Sequence, residues 1–146
     1  MPTPEELAFF LRNIIKNPKY DSTTDNLLHC NHLVQDTFNY FGYKGFEGLT
    51  ANQIFEKCLG SKDFEEQEPE QCAWLVKQYG YLAVAVAVGD PHGHVSVVFP
   101  GIPVFSGKWQ CHVPTVASTG DPNRIAGCNF FFKHKPRFFK LKDSTV

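Results

Sequence analysis

Tyr81-Leu82-Ala83-Val84-Ala85-Val86-Ala87-Val88 is an uncharged run in which valine recurs at every second position from Val84. Apolar on both faces, it predicts a strand buried in the middle of a sheet rather than at its edge. The pattern differs on either side of it. Upstream, apolar residues recur at helical spacing, and downstream they fall into short β-rich runs broken by proline and glycine. Helices first and a meander of strands second predicts an α+β fold, with N-terminal helices packed on an antiparallel sheet.

In the upstream half, Pro4-Glu5-Glu6 followed by Leu7, Phe10, Leu11, Ile14 and Ile15 predicts a helix ended by Asn17-Pro18. Residues 21–25 form a polar connection rich in N-cap types. Cys30, Leu33, Val34, Phe38 and Phe41 then mark a helix over residues 26–41 that Gly42 stops. Thr50 predicts the cap of a shorter helix over 51–59. The acidic stretch 65–70 leads into a fourth helix over 71–78. Downstream, Gly89-Asp90-Pro91 predicts a turn and residues 94–99 a second strand, which Pro100-Gly101-Ile102-Pro103 breaks. Further strands are predicted over 108–113, near 129–133 and over 137–141.

The 146 residues predict one domain over 1–146, long enough to bury a core that the fourteen phenylalanines should largely fill. A net charge of −1 argues against a general nucleic-acid binder. No apolar run reaches the length of a membrane span. The start, Met1-Pro2-Thr3-Pro4-Glu5-Glu6, has neither the positive nor the apolar region of a secretory signal. Synthesis in the cytoplasm is the expectation, with any export needing a machine that does not read that signal. The cysteines are Cys30, Cys58, Cys72, Cys111 and Cys128, with no CxxC spacing. Cys58 and Cys72 are expected to be small buried hydrophobes. Spacing leaves open whether Cys111 and Cys128 form a disulfide.

Cys30 and His94 carry the clearest chemistry. A thiol is a poor nucleophile until a helix N-terminus or a neighbouring imidazolium lowers its pKa. Cys30 heads the helical run His29-Cys30-Asn31-His32-Leu33-Val34-Gln35, and His94 follows Gly93 at the start of a strand. The competing reading makes Cys30 a core cysteine and His94 a surface turn residue. A third polar group usually orients such an imidazole. If residues 94–99 and 108–113 paired as a hairpin turning near Pro103, His112 would stand opposite His94 on the same face. Gln110 or a backbone carbonyl would be the alternatives. A metal site on His92, His94, His112 and Cys111 lacks a recognisable ligand spacing, so no metal or cofactor is expected. The basic tail around Lys133-His134-Lys135-Pro136-Arg137 reads as a solvated strand edge, with anionic-polymer binding as the lesser alternative.

The segment Asn31 to Gln35 after Cys30, together with Gly93-His94-Val95-Ser96-Val97-Val98, resembles the paired motifs of NlpC-type papain-like cell-wall peptidases. Val116-Ala117-Ser118-Thr119-Gly120 and the chain length bring the resemblance closer to the small amidase effectors of type VI secretion systems. It covers roughly residues 22–141, and only the two short motifs are specific. The resemblance implies a papain-like fold and a thiol hydrolase that cuts peptidoglycan stem peptides, typically between D-glutamate and the diamino acid. It places the nucleophile on Cys30, the base on His94 and the third catalytic position around Cys111-His112. His29, Asn31 and His92 are then candidate substrate-binding residues. His29 and Asn31 stand where many such enzymes carry an acidic residue and a serine. A monomer is expected, acting in a target cell's periplasm after specialised secretion and blocked in its producer by an immunity protein. An amide substrate inside the cell, or a binding module that keeps the fold without activity, are the alternatives.

Overall fold

A computed structural model describes residues 1–21, 29–89, 92–120 and 123–143. Helix α1 (Pro4–Ile14) starts at a reciprocal cap in which Thr3 and Glu6 satisfy each other's backbone N–H groups. Helix α2 (Cys30–Tyr40) carries the nucleophile candidate, and α3 (Ala51–Gly60) opens on a second reciprocal cap, Thr50 with Gln53. Helix α4 (Pro69–Tyr79) ends at Gly80, whose φ of 76° is left-handed and where a Cβ would collide with the Pro2 carbonyl.

The strands are β1 (Phe64–Gln67), β2 (Ala83–Ala87), β3 (His94–Val98), β4 (Val104–Ser106), β5 (Cys111–Val113), β6 (Thr115–Ser118), β7 (Arg124–Gly127) and β8 (Arg137–Leu141). Among the described residues a six-stranded sheet runs β1-β8-β2-β3-β6-β7, all neighbours antiparallel, and β4 and β5 form a separate two-stranded ribbon. The architecture is therefore α+β with an antiparallel sheet. Residues 83–86 are fully buried between β8 and β3, as the uncharged run requires. One core cluster joins α1, α2, α3 and α4 to the sheet. At its centre Phe46 stacks on Phe64, with ring centroids 5.2 Å apart, beside Phe38 and Tyr43. The phenylalanines are not all interior, because Phe9, Phe105 and Phe130 stand exposed.

Several expectations need correction. The acidic stretch contains a strand, β1, whose outward Glu65 and Glu66 meet Lys140 and Arg137 of β8. The strand expected near 129–133 lies earlier, as β7, and Cys128–Phe130 is a 3-10 turn. The strand over 108–113 is shorter, and it does not pair with β3. β5 turns back on β4, Pro114 ends it, and β6 takes the place beside β3. The polar connection beyond Asp21, the start of the second helix before His29, and Asp90-Pro91 of the predicted turn lie outside the described residues. All five cysteines are free thiols, Cys111 and Cys128 included.

Candidate active site

Cys30 is the first residue of α2, and His29 caps the helix through its carbonyl, which accepts from the N–H groups of His32 and Leu33. The first N–H groups of a helix have no partner inside it, so the thiol sits against backbone donors at the helix start. Burial pushes the Cys30 thiol up from its ordinary value. The backbone N–H groups of Val95, Asn31 and Cys30 itself pull the other way, and burial prevails. The Val95 contact also sets the thiol against the start of β3, where His94 stands.

Burial alone depresses the His94 imidazole to about 4. Its Nε2 lies 2.7 Å from Ser118 Oγ of β6, and the edge of its ring meets Phe132 with centroids 4.9 Å apart. Ser118 is fully buried and accepts a hydrogen bond of 2.7 Å from the hydroxyl of Ser96. This network can fix the imidazole tautomer. Ser118 has a single proton, and the Thr119 carbonyl lies 3.3 Å from its oxygen. With that proton on the carbonyl, Ser118 Oγ receives the N–H from Nε2, and Nδ1 of His94 is left bare as a base.

Cys30 and His94 line one narrow cleft of about 110 Å³, together with Tyr20, His29, Gly93, Thr119 and Gly120. Tyr20 is held by a 2.5 Å hydrogen bond from its hydroxyl to Asp36 of α2. A larger hollow of about 490 Å³ lies between α1 and the end of α2, lined by Phe9, Phe10, Tyr40 and Phe41. It contains neither a thiol nor an imidazole, so its size does not make it the reactive site.

The structure thus brings Cys30, His94 and His29 together. It does not bring His112 to them. His112 is exposed on β5, opposite Phe105, with Nδ1 3.9 Å from a Glu70 carboxylate oxygen on α4. The hairpin that would have set it beside His94 does not form, and the side chain that meets the His94 ring nitrogen is Ser118. Asn31 is also displaced from its expected place. Its amide donates to the Leu49 carbonyl at 3.1 Å, and it is not part of the cleft wall. His92 is exposed in the loop before β3 and does not line the cleft. His29 is buried, with Nδ1 3.0 Å from Nδ1 of His32. Among the described residues no group of three His, Cys, Asp or Glu side chains is placed to hold a metal ion.

Sequence reasoning did not find Ser118 and Ser96. Their signal was a serine set among valine and alanine in each of two short strands, at positions that prove fully buried. No protein-family model, curated protein or solved structure matches this chain.

Proposed function

We propose that the chain is a papain-like cysteine amidase that hydrolyses peptide bonds in peptidoglycan stem peptides, between D-glutamate and the diamino acid. The observation that carries the reading is the shared cleft. A thiol on a helix N-terminus and an imidazole held at Nε2 by Ser118 line the same narrow opening. The choice of peptidoglycan rests on the resemblance of the two motifs that supply Cys30 and His94.

In this reading Cys30 and His94 react from a neutral pair, because burial opposes both the thiolate and the imidazolium. As the Cys30 sulfur bonds to the scissile carbonyl carbon, its proton passes to Nδ1 of His94. The oxyanion that forms is met by the N–H groups at the start of α2. Collapse breaks the C–N bond, and the departing amine takes the proton from His94. Water then attacks the thioester, gives a proton to His94, and releases the acid and the Cys30 thiol. Ser118 holds the ring through both steps. We further infer an antibacterial effector acting in a target cell's periplasm, with an immunity protein covering the cleft in the producer.

The deciding experiment digests purified peptidoglycan with wild-type and Cys30→Ala protein and reads the fragments by mass spectrometry. Cleavage that disappears with Cys30 supports the reading. No Cys30-dependent product, across several stem-peptide chemistries, overturns it.

A further inference from the structure

Cys30 and His94 lie on different elements, yet both are tied to one short stretch of chain, residues 49–52. On one side, the Leu49 carbonyl accepts from Asn31 Nδ2 at 3.1 Å and from Gln35 Nε2 at 2.8 Å, both on α2. On the other side, Asn52 grips the loop leading to β3 with both ends of its amide. Its Nδ2 donates to the Gly89 carbonyl at 2.9 Å, and its Oδ1 accepts from the Gly89 N–H at 3.2 Å. The double contact fixes which way the amide faces, as a single one would not. It also spans 37 positions in sequence, so it is tertiary rather than a local turn bond.

The loop is packed to the limit where Asn52 meets it. A Cβ on Gly93, the residue immediately before His94, would collide with Asn52 Oδ1 and stand 2.6 Å from the Ala87 carbonyl oxygen. Between the two grips, the reciprocal cap of Thr50 and Gln53 makes the stretch stiff.

We propose that residues 49–52 form a bracket that sets the approach of His94 to Cys30, and that Asn52 is the positioning residue on the His94 side. The inference rests on the reading of Cys30 and His94 as the reacting pair. Asn52 touches neither reacting atom. It fixes the backbone from which His94 projects, while Ser118 fixes the ring. Gly93 is required for the same reason: any side chain there would push the loop off the amide.

The test uses two readouts on the whole chain. With stem-peptide substrate, Asn52→Ala is expected to lower kcat by about 10²-fold with KM unchanged, the signature of a misplaced reacting group. Asn52→Asp keeps the acceptor for the Gly89 N–H and should fall between wild type and Asn52→Ala. Gly93→Ala should lower kcat as well. The double variant should be no worse than its more severe parent, since both act through one contact. The second readout is the NMR signals of the His94 imidazole, assigned by their loss in His94→Gln. They should shift in Asn52→Ala and Gly93→Ala while circular dichroism stays native. Unmoved His94 signals, or additive losses in the double variant, would overturn the bracket. Absence of Cys30-dependent hydrolysis in wild type would instead remove the proposed function, and the imidazole signals would still decide the bracket. If Asn52→Ala does not fold, Asn52→Asp and Gly93→Ala read the same quantities.

Discussion

The protonation state of the resting site can be measured directly. Many thiol hydrolases hold a preformed thiolate–imidazolium pair, and their cysteine alkylates at a nearly constant rate from weakly acid to neutral pH. Here burial raises the Cys30 thiol above its ordinary value of 9.0 and lowers His94 to about 4. At pH 7 a thiol titrating above 9.0 is thiolate in fewer than about one molecule in a hundred, and each further pH unit multiplies that fraction by about ten. The rate of iodoacetamide addition to Cys30 should therefore climb about tenfold per unit from pH 6 to pH 8, with no plateau. Mass spectrometry of the Cys30 peptide measures this without interference from Cys111, the half-buried cysteine. His94→Gln should leave the slope intact, because the wild-type imidazole is already uncharged across that range. A plateau between pH 5 and pH 8 that His94→Gln abolishes would refute the neutral pair, and with it the order of proton transfer derived above.

The same depressed imidazole has a cost in stability. Its folded value of about 4 lies below the ordinary 6.5, so as pH falls the unfolded chain takes up the proton first. Stability present above pH 6.5 should decline toward pH 4 by about 3 kcal/mol, and urea denaturation of His94→Gln should lack that share of the decline. Ser118→Ala strands the Ser96 hydroxyl and His94 Nε2 in the interior, which should cost about 1–3 kcal/mol of stability and lower kcat. Ser96→Ala removes only a donor to Ser118 and should affect kcat less, and an equal loss would make the pair structural rather than orienting. Phe46→Ala empties the centre of the aromatic core and should cost about 3–5 kcal/mol, whereas Phe9→Ala at the surface should stay within about 0.5 kcal/mol, both by urea midpoint.

Where the sequence was readable, a single element held the information. The uncharged valine run specified a central strand because burial on both faces leaves that pattern wherever the neighbours come from. Thr50 located the start of α3 because a cap is a local signal, and the structure closes it with Gln53 three residues on. Cys30 and His94 were legible because each marks the start of its own element. Their partner was not. Which residue faces His94 depends on which strand lies beside β3, and that was settled by chain breaks at Pro100, Pro103 and Pro114 and by a hairpin closing on itself. His112 followed from a local rule applied to the wrong pair of strands. β1 was hidden for a related reason: an edge strand with Glu65 and Glu66 outward looks like a solvated loop until the basic residues of β8 are set against it. The contacts of Asn52 join positions 37 apart, and no periodicity reports them.

The order of strands also dictates the order of assembly. β8, the last of the described strands in sequence, sits inside the sheet between β1 and β2, and β1 has no other neighbour among the described strands. During synthesis the helices and β1 emerge long before residues 137–141 reach them, so β1 and one edge of β2 must wait unpaired. Because β2 is also the strand that carries β3, and with it His94, the cleft cannot be braced from both sides until residues 137–141 have been made. A nascent chain stalled before residue 137 would hold Cys30 and His94 and lack the strand that joins β1 to β2.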